Sequence, residues 1–455
     1  MSTRSTQTSS VRDRTPVREH WASRAGFIAA AIGSAVGLGN IWRFPYEAAG
    51  HGGSAFLIVD FIAILLIGLP AMLAEFAIGR RAHRNVIDAF GAGGRMWKLA
   101  GVLAAVSAFW VVSYYSVVGG WVIRYLLESP SGAYFSNPAV HFTGAASGMD
   151  AVFFTSVFMF ITIGIVAFGI ERGIELATKL MVPAIVVLMV ALAVYAATLS
   201  GAGAGYEYFL EPDFGYILLN ADTLIPAAVG EVLFTLSLGS GIMITYASYV
   251  EKSESLVADG LAVVIVNTLV GYLAGLIVFP LLFAQGVKPG EAGAGAIFVS
   301  IANAFRTLPA GEVLGVVFYL VVLIAAVSSA ISLLEIPTAY FVDNFPIPRP
   351  IIAGVIGLGA FLLGVPSALD MATLELFDSV ASEVLLPIGI FLVTVFVGWV
   401  YGREAMAELG EGLHERLLPR CWLWHVRIVV LVAVGMTLVI SIVSFTDINV
   451  VQWLS

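Results

Sequence analysis

The chain contains about eleven separate runs of roughly twenty mostly apolar residues, and each is long enough to cross the hydrocarbon layer of a bilayer as one helix. They cover approximately 24–48, 54–79, 99–127, 151–170, 175–199, 222–248, 257–285, 312–341, 347–365, 380–402 and 425–446. In hydrocarbon every backbone N–H and C=O must be satisfied within the chain, so segments of this kind have to be helical. Only 12% of the residues are charged against 59% hydrophobic, too few polar groups to cover a water-facing surface. The expected fold class is an all-α membrane protein of about eleven transmembrane helices.

The charges between the runs set an orientation. Arg4, Arg12, Arg14 and Arg18 lie in the tail, Arg80, Arg81, Arg84 and Arg95 follow the second run, and a third basic stretch runs from Arg403 to Arg427. The segments around 128–150, 200–222 and 366–378 are acidic or neutral. The positive-inside rule then places the N-terminus in the cytoplasm and, after an odd number of spans, the C-terminus outside, in a cell (plasma) membrane protein. Residues 1–20 read as a polar cytoplasmic tail without the apolar core of a signal peptide. The stretch 21–402 reads as the transmembrane core, and 403–455 as a cytoplasmic loop, the eleventh span and an extracellular C-terminus. The segment Ala296 to Phe305 reads as a re-entrant helical hairpin over an outer opening.

Composition excludes several chemistries. A net charge of −9 disfavours a nucleic-acid partner. The single cysteine, Cys421, rules out an internal disulfide and a multi-cysteine metal site. An intramembrane enzyme would need a nucleophile with a base or a metal cluster, and neither Ser237 nor Ser329 has a histidine nearby in any span.

Two runs are interrupted by glycine. The first reads Gly33-Ser34-Ala35-Val36-Gly37-Leu38-Gly39-Asn40 and then Trp42-Arg43-Phe44-Pro45. The sixth reads Phe234-Thr235-Leu236-Ser237-Leu238-Gly239-Ser240-Gly241. Each glycine costs about 1 kcal/mol against alanine in a helix interior, so clusters at mid-membrane depth point either to close helix packing or to unwinding. An unwound stretch exposes carbonyls suited to a small cation and N–H groups suited to a carboxylate, and it is tolerated only where it lines a cavity. The breaks open two five-span halves, about 21–199 and 222–402, as expected of inverted repeats.

On these residues, together with Thr245-Tyr246-Ala247-Ser248-Tyr249 and the pair Gly173 and Pro183 in the fifth span, the chain resembles the neurotransmitter:sodium symporter family, and within it the bacterial amino-acid members. The resemblance runs from Arg18-Glu19-His20-Trp21 through the tenth span. It implies sodium-coupled symport of amino acids by alternating access, two sodium ions as the only cofactors, and no enzymatic activity. It leaves a homodimer open.

The resemblance also assigns residues. A first sodium site would use the carbonyl of Ala35, the side chains of Asn40, Thr235 and Asn267, and the substrate carboxylate. A second would use the carbonyls of Gly33, Val36 and Ala325 with the hydroxyls of Ser328 and Ser329. Taken singly, Ser328, Ser329 and Asn267 would pass as helix-packing residues; the joint match lifts each above that reading. Substrate would lie on Ala35, Gly39 and the Tyr115 hydroxyl, under Phe234, with Val111, Ser237, Ser240 and Leu333 around its side chain. An outer gate would pair Arg43 with Asp378, and an inner gate would pair Arg18 with Asp343, near Trp21 and Tyr249. Gly37 stands where monoamine carriers hold an aspartate, which implies that the substrate brings its own carboxylate. Ser240 replaces a bulky aromatic, so aromatic or large aliphatic side chains are expected, aromatics first.

The chain departs from the chloride-binding pattern. Gly271 takes the place of the usual seventh-span serine, Asp60 that of a second-span tyrosine, and Glu231 that of a sixth-span amide. Asp60 and Glu231 are therefore expected to substitute for the anion. A proton shared between them would give proton counter-transport.

Overall fold

A computed structural model describes residues 19–252, 254–286, 297–410 and 417–454, and among these the chain is helical throughout. Among the described residues, nine helices are long and apolar enough to cross a membrane: Ser54–Ala82, Arg95–Ser131, Met149–Ala167, Ile170–Ala197, Leu256–Ala284, Gly311–Asn344, Arg349–Leu369, Met371–Val400 and Leu417–Val443. The first span is a bent pair, Arg24–Ala35 and Gly39–Gly50, with 47° between the halves. The sixth is also in two pieces, Ala221–Thr235 and Ile242–Ala247, each too short to span alone. Together these account for all eleven runs, in the expected order and to within a few residues except at the start of the tenth and the eleventh. There the helix begins earlier, because capping by Asp370 and an added basic turn carry it beyond the apolar stretch.

Local chemistry explains several boundaries. Ser23 caps the first half-helix by accepting from the Gly26 amide at 3.0 Å, and Ser255 caps the seventh span through Ala258. Asp370 does the same for the tenth span through Thr373 at 3.0 Å. Glycines let spans meet at backbone distance: a Cβ on Gly364 of the ninth span would sit 2.2 Å from the Ser113 carbonyl of the third.

The third and eighth spans form the axis, with 72% of each core window buried, against 22% for the fifth and eleventh. The latter two therefore turn most of their surface to lipid. Of the arginines expected on the cytoplasmic side, Arg80 is not a surface charge at all. It is fully buried and pairs with Glu408 at 2.8 Å, fastening the helix Gly402–Gly410 to the end of the second span. The segment after the seventh span runs through two short turns, Ile297–Ile301 and Ala302–Thr307. Phe298 and Phe305 bury themselves against Trp121, Tyr125, Phe318 and Tyr319. Ala296, where the hairpin was expected to begin, lies outside the described residues.

Candidate functional site

The breaks in the first and sixth spans face each other at the centre. In the first, Val36 turns to an extended conformation (ψ 97°), and the amides that follow leave the helix ladder. Gly37 N–H donates to Asn40 Oδ1 at 3.1 Å, and Leu38 N–H donates to the Tyr115 hydroxyl at 3.3 Å. In the sixth, Ser237 (φ 55°), Gly239 (φ 84°) and Gly241 (φ 79°) adopt left-handed backbone, a conformation that a side chain makes costly. The Ser237 hydroxyl donates to the Ser34 carbonyl at 3.1 Å, tying one break to the other. Two half-helices thus direct their C-terminal carbonyl ends to the centre, and two direct their N-terminal amide ends there.

The residues assigned to the first cation converge. The atom placed as Asn267 Oδ1 lies 3.2 Å from the Ala35 carbonyl, 3.3 Å from the Thr235 carbonyl and 2.9 Å from Asn40 Nδ2. Two carbonyls against an amide oxygen repel one another. Rotating the Asn267 amide would relieve that contact, but it would then set its NH2 against the NH2 of Asn40, which is held by the Gly37 bond. A cation among these oxygens removes the conflict without any rotation, and oxygen donors are what a hard cation takes. The Thr235 hydroxyl donates to the Glu231 carbonyl at 2.9 Å, which leaves its lone pairs available to a cation.

Those assigned to the second cation are also neighbours. The Ser328 hydroxyl reaches the Ala325 carbonyl at 2.9 Å and the Val36 carbonyl at 3.4 Å. A Cβ on Gly33 would lie 3.5 Å from the Ser328 Cβ. Ser329 points elsewhere, donating to the Ser34 carbonyl at 3.1 Å. It also fills the space beside Gly37, where a Cβ would meet its Oγ at 2.4 Å.

A small cavity of about 60 Å³ lies between the breaks, and Ala35, Gly39, Val111, Tyr115, Phe234, Ser237, Ser240 and Leu333 all line it. Phe234 lies on Gly39, where a Cβ would be 3.0 Å from the ring. Above Phe234 opens a vestibule of about 700 Å³ reaching Asp222 and Ser441. Arg43 and Asp378 both line the vestibule but do not form an ion pair. Arg43 stacks over the Phe234 ring at 4.6 Å and pairs with Glu231 at 3.1 Å, while Asp378 accepts from the Tyr114 hydroxyl at 2.9 Å. The open vestibule between them is the physical reason they are apart. Glu231, expected as an anion substitute, is fully buried and engaged with that arginine; Asp60 is buried in the second span.

The opposite side is shut. Trp21 Nε1 donates to the Tyr246 carbonyl at 3.0 Å, and the Tyr249 hydroxyl donates to Glu335 at 3.0 Å. Arg349 joins Glu335 to Glu19. Asp343 accepts from Asn85 at 3.0 Å. Arg18, its expected partner, lies outside the described residues.

Several residues were not singled out in the sequence. Glu75 Oε1 accepts from the Gly239 amide at 2.7 Å and so holds the sixth-span break. A carboxylate inside an apolar run was the available signal, the same one that exposed Asp60. Glu175 accepts from the Ala22 amide at 2.7 Å and from the Ser23 hydroxyl at 3.0 Å. Leu38, Ile242 and Leu386 complete the cavity wall, and nothing in their local sequence distinguishes them.

Known proteins share this architecture. A solved structure of MhsT in complex with L-phenylalanine superposes with a TM-score of 0.85 at 37% identity, covering 93% of this chain and 99% of that one. An uncharacterised sodium-dependent transporter of Bacillus subtilis (strain 168) is 33% identical over 93% of this chain and 98% of its own length. Another from Methanocaldococcus jannaschii is 34% identical over 89% and 86%. Residues 18–135 and 128–454 match the Sodium:neurotransmitter symporter family, and the chain belongs to that family.

Proposed function

We propose that this transporter carries an amino acid with a large apolar side chain, aromatic first, into the cell together with sodium, by alternating access. Membership of the family makes the chain a sodium-dependent multi-pass membrane transporter and not an enzyme. The observation that carries the finer reading is the convergence of the Asn267 amide oxygen with the Ala35 and Thr235 carbonyls beside a cavity between the two helix breaks. Sodium there would complete its shell with the substrate carboxylate, so each ligand would strengthen the other. Two sodium ions, the second at Ser328, and a plasma-membrane location with the N-terminus inside belong to the same reading. So does Asp60 acting as a fixed negative charge in place of chloride. The relative solved with L-phenylalanine supports the choice of side chain.

The test is a screen of radiolabelled amino acids in proteoliposomes under an inward sodium gradient. Accumulation of phenylalanine, tryptophan, tyrosine, leucine or methionine that collapses when potassium replaces sodium is the expected result. Strong transport of decarboxylated amines, or amino-acid affinity indifferent to sodium at constant ionic strength, would overturn it.

A further inference from the structure

We infer that Leu386 of the tenth span is a substrate-selecting residue, the wall against which the far end of a large substrate side chain rests. The inference rests on the proposed amino-acid reading of the central cavity. Five residues, Leu38, Gly39, Tyr115, Phe234 and Leu386, line both the central cavity and the vestibule above it, and so form the neck between them. Four come from the first, third and sixth spans, whose roles the family resemblance already covers. Leu386 comes from a span to which no substrate contact was assigned.

The geometry explains how the tenth span reaches the cavity. The sixth-span break reads Gly239-Ser240-Gly241, with no bulky side chain on three successive residues. A Cβ on Gly239 would lie 2.5 Å from the Leu386 carbonyl and 2.8 Å from the Ile390 amide. A Cβ on Gly389 would lie 2.2 Å from the Gly239 carbonyl. The two backbones are therefore nested against each other, glycine to glycine. Leu386 follows the π-helical turn Val380–Leu385 and precedes Pro387, which cannot donate to the preceding turn. That irregular stretch sets the position of Leu386 against the break. Leu386 is half-buried, and with Leu38 and Phe234 it makes up the apolar part of a rim that also carries Tyr115 and the backbone of Gly39. Ser240 lines the same cavity with a small side chain whose hydroxyl is turned to the Ser237 carbonyl at 3.0 Å, which leaves volume beside Leu386. Leu386 and Ser240 would then select substrate length jointly.

The experiment compares Leu386→Ala, Leu386→Phe and wild type in reconstituted full-length protein, with alanine, leucine and tryptophan competing for sodium-dependent uptake. One or two methylenes in an apolar pocket typically shift discrimination by about tenfold or more. Leu386→Phe should weaken tryptophan relative to alanine by about tenfold. Leu386→Ala should weaken leucine relative to tryptophan, and in Leu386→Ala/Ser240→Phe the added ring should be better tolerated than in Ser240→Phe alone. The readout is a ratio of affinities within one preparation, so general loss of folded protein does not imitate it. A uniform change for all three amino acids, or no change, overturns the inference, because Leu386 would then serve only to pack the break. Absence of sodium-dependent amino-acid uptake by wild type would instead sink the proposed function itself.

Discussion

Replacing Asn40 by alanine tests the coupling of ion and substrate most directly. The side chain bridges the two halves of the cation cluster: Oδ1 accepts from Gly37, and Nδ2 donates to the Asn267 carbonyl at 3.2 Å and its side-chain oxygen at 2.9 Å. Asn40 is 2% exposed, so water does not readily replace what is lost. A charge-assisted contact of this kind contributes about 1.5–3 kcal/mol, which corresponds to roughly 10- to 150-fold in sodium affinity. The lost bonds to Gly37 and Asn267 weaken the sodium-free and sodium-bound forms together and largely cancel in the difference. Because binding linkage is reciprocal, amino-acid affinity at low sodium should fall as well and recover as sodium is raised. The assay is equilibrium binding of a radiolabelled amino acid across a sodium titration at constant ionic strength. A half-saturating sodium concentration within twofold of wild type would refute the reasoning. So would an amino-acid defect that high sodium does not repair.

Three further outcomes follow from the geometry. Wild-type uptake should be indifferent to replacing chloride by gluconate, while Asp60→Asn should become chloride-stimulated. Glu231→Gln should show the same change together with a slower outer closure, since it also strips Arg43 of its partner, and a wild type that stops without chloride would refute this reading. Gly239→Ala should abolish sodium-driven uptake and lower the unfolding temperature, because φ 84° costs alanine about 1–2 kcal/mol and the Leu386 carbonyl occupies the Cβ position; normal uptake would show that the break is not held as described. Glu335→Gln should shift the resting protein toward inner opening, read as greater labelling of a cysteine placed beside Tyr249 in a Cys421→Ser background; unchanged labelling would show that the Glu335–Arg349 pair does not hold the inner side shut.

All eleven spans were legible because hydrocarbon imposes length and apolarity on each, and both breaks because glycine clusters have no other inexpensive use at that depth. The family resemblance named both carbonyls and side chains for the first cation cluster, but that the Asn267 amide oxygen meets the Ala35 and Thr235 carbonyls is a matter of three-dimensional packing. The Thr235 hydroxyl donates one turn back to the Glu231 carbonyl, an orientation sequence does not encode. Ser328 and Ser329 look equivalent in sequence, but a helical rotation of about 100° aims one at Ala325 and Val36 and the other at Ser34. Leu386 stayed hidden because leucine in an apolar span carries no local signal. Only the nesting of Gly239 against Gly389 brings it to the cavity. Arg43 pairs instead with Glu231 and, at 3.7 Å, with Glu47, because the vestibule lies open between it and Asp378.

The two closures differ in a way that bears on the cycle. On the vestibule side, Phe234 and the arginine stacked on it cap a neck of few residues between the cavity and the vestibule. On the closed side many of the ties among the described residues end on residues 19–24. Glu19 holds Arg349 and accepts from the Ile170 amide at 3.0 Å, Trp21 holds Tyr246, and Ala22 and Ser23 hold Glu175. Arg24 pairs with Asp259 at 2.8 Å and with Glu254 at 3.0 Å. The half-helix Arg24–Ala35 is therefore fastened at its foot by a dense set of bonds, while its upper end carries Ala35 and Val36, whose carbonyls belong to the two cation clusters. Glu19 bonds the first residue of the fifth span's π-helical turn Ile170–Glu175, Ala22 and Ser23 bond its last, and Gly169 just before it has φ 88°. Under alternating access, opening inward would release this foot where the fifth span is irregular. In the proposed cycle, sodium at the upper end holds the half-helix against the sixth, seventh and eighth spans. Its departure would leave that end to the bonds of the Ser34 and Val36 carbonyls with Ser237, Ser329 and Ser328, so the same helix would couple ion occupancy to the inner gate.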